Sequence, residues 1–316
     1  MKLNLKFPAG KEFDAVGLGL TAIDHLITLP AFPERGTKSR LSHYEAQGGG
    51  QIGTGFSALA RLGLKVKFLG KVGGDPQGEL SLKLLQEEGV DTSHVVVEAE
   101  ASTQFAFILV EEGTGERTIL WHRHPALTFG LGDFPRPAVT AGRILHLDGH
   151  EVPFSIQAAR WAREEGIPVL LDAERMKDGT MDLLPLADIL ISDERFCNLL
   201  CPGKSPEEFL AHLDREYHPV FCAVTLGERG SLGLFRGAYV HSPAFRVDVV
   251  DTTGAGDVYH AGFLYGALQN WEIPQIMRFA GAAAALKCRH RGGRKGAPHL
   301  CQVTDFLERQ AQASMP

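Results

Sequence analysis

Apolar runs of strand length alternate with segments of helical spacing along most of the chain. "FDAVGLGL" (13–20), "KVKFLGKVG" (65–73), "RILHLDGH" (143–150), "IPVLLDAE" (167–174), "ADILIS" (187–192) and "PVFCAVTLG" (219–227) are near-continuous apolar stretches. That pattern suits strands buried on both faces. Between them, "TGFSALARLG", "GELSLKLLQEEG", "SIQAARWAREEG" and "SPEEFLAHLDREY" carry apolar residues at helical intervals, and several stop at a glycine. The repeated alternation predicts an α/β fold, a mostly parallel sheet with helices on both faces.

Two segments break this rhythm. Residues 22 to 47, with "HLITLPAFPERGTKSRLSHYEAQ", are β-like with no helix between, and residues 103 to 124 read as a hairpin turning at Gly113 to Gly115. Phe105, Phe107 and Leu109 alternate with Ala106, Ile108 and Val110, so both faces of the hairpin are apolar. Each face then needs a cover, from the main sheet or a partner subunit. The two pieces, about 22–47 and 100–126, predict a small β lid inserted in one domain spanning 1–316. No linker is long enough to separate two independent domains.

Composition narrows the classes without choosing one. Hydrophobic content of 44% and charged content of 22% are those of a soluble globular protein. A net charge of −6 with no basic run argues against a nucleic-acid partner. No apolar run has membrane-spanning length and no start resembles a signal peptide, so neither a membrane partner nor export is expected. Five cysteines (Cys197, Cys201, Cys222, Cys288, Cys301) without C-x-x-C spacing suggest reduced, mostly buried thiols in a cytoplasmic protein. Cys197 and Cys201 share a helix face, but two thiols alone make a poor zinc site.

The chemistry concentrates in "VDVVDTTGAGDVYHAGFLYGAL", read as a strand (247–250), a glycine turn and a helix beginning near Gly256. The chain has no G-x-x-x-x-G-K-[ST] string, so this is not a P-loop. Free N–H groups and the positive end of the helix dipole nonetheless favour an anion at that helix start. Asp257, in the first turn, is expected to be ionised by the same field. Beside a bound phosphate it can accept the proton of an attacking hydroxyl. The plainer alternative is that Asp257 merely caps a helix behind a tight turn. Gly262 and Gly266, each costing about 1 kcal/mol against alanine inside a helix, point to close backbone packing that holds the helix start in place.

"DTTGAGDVYHAG" (251–262) resembles the C-terminal signature of the PfkB, or ribokinase-like, carbohydrate kinases. "GGGQIGTGFSALARLG" (48–63), "GKVGGDPQGELSLKLLQEEGVDTSHV" (70–95) and "VTLGERGS" (224–231) resemble other parts of that family, in the right order over nearly the whole chain. The resemblance implies a three-layer α/β/α fold with a small β-sheet lid, and phosphoryl transfer from ATP with Mg²⁺ to a sugar hydroxyl. It implies that Asp257 is the base and that Gly254, Ala255, Gly256 and Asp257 line an anion hole. Asp24, Gly49 and Gly50, with Gln51 beside them, would hold the sugar, and Thr225, Gly227 and Gly230 would lie along ATP. Asp251 and Thr253 match positions that hold a monovalent cation such as K⁺. The lid implies a homodimer.

This chain departs from the family pattern in three places. Thr54 stands where the first signature has an asparagine, with Phe56 beyond it. The family's Asn-x-x-Glu falls at "DERF", with Asp193 and Phe196, so Mg²⁺ must be served by Asp193, Glu194 or water. "ALKCRHRGGRKGAP" (285–298) is more basic than usual. The tail "AALKC…GGR.G.P", "GERTIL" and "AFRVDVVDTTGAGDVYH" look most like the ketose-type branch that includes sulfofructose kinase, with a weaker likeness to ketohexokinase. On the sugar side Lys38, Arg40, His122, Arg123, His124 and His150 either receive an acidic group of the substrate or form a solvated lid surface. His122 and His124 are expected on one face of a strand, and His150 at the end of another. A sugar or sugar-acid kinase with a primary hydroxyl as acceptor leads. A nucleoside kinase, its base held by Phe105, Phe107 and Trp121, and a non-catalytic sugar sensor stay open. A dinucleotide-binding reading of "GLGL" (17–20) fails for want of a third glycine opening a helix.

Overall fold

A computed structural model of the chain describes residues 1–114 and 116–313, so the Gly115 end of the expected hairpin turn lies outside the described residues. The sheet begins with β1 (Ala15–Leu18), all four residues buried, and the chain leaves it at once through β2 (Ala22–Leu29) and β3 (His43–Gly49). Then follow α1 (Gln51–Arg61), β4 (Val66–Leu69), β5 (Lys71–Gly73), α2 (Pro76–Glu87) and β6 (Val96–Glu98). The hairpin β7 (Phe105–Glu111) and β8 (Arg117–His122) leads to α3 (Arg136–Val139), β9 (Leu145–Leu147), α4 (Val152–Glu164) and β10 (Val169–Ala173). Next come α5 (Thr180–Leu183), β11 (Ile189–Asp193), α6 (Glu194–Leu200), α7 (Pro206–Tyr217) and β12 (Phe221–Thr225). The pair β13 (Ser231–Phe235) and β14 (Ala238–Ser242) precedes α8 (Ala255–Leu268), α9 (Ile273–Cys288) and α10 (Leu300–Ala313).

Eight strands form the central sheet in the order β14-β13-β12-β11-β10-β9-β1-β4. From β4 to β12 every neighbour is parallel, and β13 and β14 close the edge antiparallel. One face carries a core built on Phe56, Phe263 and Phe279 from α1, α8 and α9. The other is built on Phe154 and Phe209 from α4 and α7. This is the expected three-layer α/β/α arrangement. A Cβ at Gly262 would stand 2.7 Å from the Ala280 Cα, and one at Gly266 3.1 Å from Ile276 Cγ1. The helix-interior glycines therefore let α8 and α9 meet backbone to backbone, which fixes the α8 start.

The second sheet runs β3-β2-β7-β8, with β2 and β7 parallel and the outer pairs antiparallel. Leu26, Ala106 and Ile108 are buried beneath it. The other face is more open, with Phe107 exposed, and edge strand β8 is exposed on both of its faces. Among the described residues no helix is long and apolar enough to cross a membrane. All five cysteines are unpaired, three of them buried.

Three local expectations change. "KVKFLGKVG" breaks at Gly70 into β4 and β5, and β5 pairs with β6 in a small sheet of its own. Residues 247–250 are irregular rather than a strand. The Val250 N–H instead donates to Cys288 O at the end of α9, and the Val249 and Val250 side chains are exposed. His124 lies beyond β8, where its Nδ1 accepts the Ala126 N–H, so it does not share a strand face with His122.

Candidate active site

The turn before α8 owes its shape to Gly254, which has φ 75° in the left-handed region and caps the helix. A Cβ there would stand 2.7 Å from the Gly293 Cα. The Ala255 N–H donates to Thr252 O, and the helix ladder starts with Val258 N–H to Gly254 O. The amides of Gly256 and Asp257 are the first-turn donors that the helix does not pair internally. Thr54, at the place of the family's asparagine, is buried and packs its methyl against the Gly254 position, so it supports the turn from below.

Asp257 meets two further carboxylates at this helix start. Asp172 is the penultimate residue of β10 and Glu174 follows the strand, and single oxygens of Asp172, Glu174 and Asp257 lie within 4.8 Å of one another. Gln51 Nε2 donates to Glu174 Oε2 at 2.9 Å, and His260, one turn along α8, places Nε2 3.3 Å from Asp172 Oδ1. Mutual repulsion, Asp172 foremost, and burial push Glu174 up to about 7. Burial and the charges of Glu174, Asp172, Asp148 and Asp24 hold Asp257 well above the usual carboxylate range. This corrects the expectation that the helix dipole leaves Asp257 simply ionised. About half a positive charge at a helix end does not offset four negative neighbours in a half-closed cleft.

Asp24 stands directly across from Gln47 in the β2–β3 ladder and packs on the Gly49 Cα. Burial raises it to about 6, against the pull of Arg294. Arg294 is itself buried. Its Nη2 donates to Gly49 O at 2.7 Å and to Thr21 Oγ1 at 3.1 Å, tying the Gly48–Gly50 turn down from behind. Gly50 has φ 80° and begins α1, so Gln51 projects from the first turn toward Glu174. Asp148, after β9, accepts Leu20 N–H and His150 N–H.

On the other side of Asp257, Asp193 and Thr225 face each other at the C-terminal ends of β11 and β12. Gly227 (φ 58°) and Gly230 (φ 90°) turn the chain there. The Asp193 carboxylate is occupied as the cap of α6, accepting Phe196 N–H at 2.8 Å, and Glu194 pairs with Arg229. Each thus has one oxygen engaged, and Phe196 is fully buried. The acidic pair that sequence reading passed over is Asp172 and Glu174. Their signal was present: "DAE" ends an apolar strand, and ligands in open parallel sheets bind beyond strand C-termini.

The expected lid cations divide. Lys38 and Arg40 are exposed in the loop joining β2 to β3. His122 is exposed on β8, its ring centroid 5.5 Å from that of Phe105. Arg123 is neutralised by Glu151. His150 lies three residues past β9 rather than at its end. It is pushed down to about 3 by burial and by the charges of Lys177, Arg175 and Arg123, so it is neutral and is not a receiving cation. Lys177, whose Nζ donates to His150 O at 2.7 Å, carries the charge there instead. Arg117 on β8 was missed. It reaches across to donate to Thr252 Oγ1 at 2.9 Å.

The geometry agrees with what the chain is similar to. A profile of the pfkB family of carbohydrate kinases matches residues 14–300. A nucleoside kinase of Methanothermobacter thermautotrophicus is 26% identical over 91% of this chain and 93% of its own. A ribokinase of Haemophilus influenzae is 28% identical over 92% and 97%. Among solved structures, Arabidopsis thaliana ribokinase complexed with ribose and ATP superposes with a TM-score of 0.81 at 24% identity, covering 94% of this chain and 99% of that one. An E. coli protein assigned as ribokinase II, solved with ATP and Mg²⁺, gives 0.81 at 20% identity and the same coverage. The chain belongs to the pfkB family of carbohydrate kinases, ATP-dependent phosphotransferases with an alcohol group as acceptor.

Proposed function

We propose that this kinase phosphorylates a ketose or an acidic sugar, most plainly at a primary hydroxyl, with Asp257 as the base. The observation that carries the base assignment is the position of Asp257 in the first turn of α8, behind left-handed Gly254 and in the electrostatic reach of Asp24. The acceptor lies against Gly49 and Gly50, its hydroxyls bonded to Asp24. The triphosphate runs from Gly227, Gly230, Thr225 and Asp193 to the amides of Gly254 through Asp257. The raised pKa suits the role. A carboxylate made more basic by burial and like charges takes a hydroxyl proton more readily than an ordinary one. Arg117 neutralises charge at the same turn from the lid side.

The residues present fit Mg²⁺. Glu174 and Asp172 offer hard oxygen donors close together, and their mutual repulsion would be relieved by a divalent cation. When bound, the metal supplies charge neutralisation for the phosphates; the chain supplies position.

The ketose-type reading rests on the tail resemblance, and the acidic-substrate reading on Lys177, Arg175 and Arg117 rather than on His150. Two copies would associate through edge strand β8, where Ile119, Leu120 and Trp121 are all exposed. Five unpaired cysteines support a reducing, cytoplasmic setting. The test is an ADP-release screen of ketoses, sugar acids, sugar phosphates and nucleosides with and without Mg²⁺. Preference for a neutral sugar over its acid-bearing counterpart by about tenfold or more sinks the acidic-substrate reading. Turnover of nucleosides alone sinks the sugar reading.

A further inference from the structure

Lys287, at the C-terminal end of α9, is fully buried. Its Nζ donates to the carbonyl oxygen of Asp251 at 2.8 Å, at the entrance of the turn that ends at Asp257. Enclosing an ammonium in the protein interior is costly unless its charge is used, and burial pulls this one below its ordinary pKa. The charges of Asp251 and Asp257 act in the opposite sense. An apolar side chain of similar length would fill the space at lower cost, so the charge itself calls for a reason.

The family resemblance places a dissociable monovalent cation at Asp251 and Thr253, but the groups found there do not fit one. Asp251 Oδ1 accepts Thr253 N–H at 2.8 Å, and Oδ2 accepts Gly292 N–H at 2.7 Å. The Asp251 carbonyl is taken by Lys287, and Arg117 Nη1 stands 3.5 Å from Oδ1. An incoming K⁺ would displace amide donors and enter between two fixed positive charges.

We propose that the Lys287 ammonium is the built-in cation of the catalytic turn, replacing a dissociable monovalent ion, so that this kinase is independent of K⁺. Lys287 is a positioning residue. It holds the Asp251 carbonyl while the Val250 and Asp251 N–H groups are held by Cys288 O, and Gly254 rests on Gly293. The ends of α9 and of the 288–294 segment thereby set where the anion-hole amides and Asp257 point. The inference builds on the assignment of this turn to the phosphoryl-transfer site.

Two measurements on the full chain test it. Thallous ion, a K⁺ mimic visible by its anomalous scattering, is soaked into crystals of the wild type and of Lys287→Ala. The expected result is no thallium at Asp251 in the wild type and thallium there in the variant. Thallium bound beside an intact Lys287 overturns the proposal, whatever the acceptor proves to be. In parallel, kcat with an acceptor found by screening is compared in tetramethylammonium, K⁺ and NH₄⁺ chlorides. The wild type should be indifferent, and folded Lys287→Ala should lose about 10- to 100-fold in tetramethylammonium and recover with K⁺ or NH₄⁺. A wild type activated about threefold or more by K⁺, or a folded variant that no cation rescues, overturns it. If the variant does not fold, wild-type indifference to K⁺ still decides. Absence of turnover with every acceptor fails the kinase assignment instead and leaves the thallium result standing.

Discussion

Arg117 on the lid strand β8 donates to the hydroxyl of Thr252 on the catalytic turn at 2.9 Å, 135 residues away in sequence. The second sheet is thereby tied to the turn that opens α8, the proposed phosphoryl-transfer site. Arg117→Ala should lower kcat by about 10- to 100-fold, measured by coupled ADP release, because a preorganised charged donor is lost. Arg117→Lys should recover much of this, since the contacts with Thr252 and Asp251 both run through the single nitrogen Nη1, which an ammonium can replace.

Asp257→Asn removes the proton acceptor but keeps the shape of the α8 start. Acceptor-dependent ADP release should fall by about 10²–10⁴-fold while ATP binding, followed by calorimetry, survives. Retention of more than about a tenth of the activity would refute the base assignment.

The rate should follow the titration of the carboxylates in the cleft. Asp24 is raised to about 6 and Glu174 to about 7, and Asp257 lies higher than an ordinary carboxyl. A base works only when deprotonated, so kcat/KM should climb as pH rises through this range. Glu174→Gln removes the neighbouring charge that raises Asp257 most, after burial. Its acid limb should move to lower pH, by about one unit. An unmoved limb would show that Glu174 does not face Asp257 in solution.

Stability should show the opposite trend in the metal-free protein. A carboxyl whose folded pKa is raised binds its proton more tightly folded than unfolded, so stability is lost as pH rises toward the folded pKa. Asp148 and Glu174, both raised to about 7, and Asp257 act this way. Buried His146 and His150, with lowered pKa values, oppose them only below the ordinary histidine range. Between about pH 6.5 and 8 the melting temperature should therefore fall by a few degrees, and Mg²⁺ should restore it at the upper end. Scanning calorimetry with and without Mg²⁺ checks both.

Trp121, 63% exposed on edge strand β8, shares one face of the strand with exposed Ile119, while exposed Leu120 points to the other. Trp121→Glu should convert a dimer to a monomer in light scattering, because a carboxylate buried without a partner at an interface costs several kcal/mol. A wild-type monomer at high concentration rejects association through the lid.

Local chemistry made much of this protein legible in one dimension. Near-continuous apolar strands alternating with amphipathic helices prescribe a doubly covered parallel sheet, because no other arrangement buries such strands. The turn at Gly254 and the carboxylate at Asp257 lie within one short stretch, and so does the backbone geometry linking them. Gly262 and Gly266 were readable for the same reason, since a glycine inside a helix is costly unless another backbone comes close.

What pattern did not reveal depends on partners distant in the chain. Nothing local tells that an Asp193 oxygen caps α6, that Arg123 is neutralised by Glu151, or that His150 is neutralised by burial beside Lys177. The basic tail looked like a surface feature, yet folding buries Arg294 behind Gly49 and Lys287 beneath Asp251. A residue's type and its immediate neighbours determine what it can do, so the sequence alone determined the fold class and the glycine turn that opens α8. Charge state and role depend on what surrounds a group in space. Only the tertiary structure, by excluding water and bringing Asp172, Glu174 and Asp257 together, decided which acids titrate near neutrality and which cations are free to act.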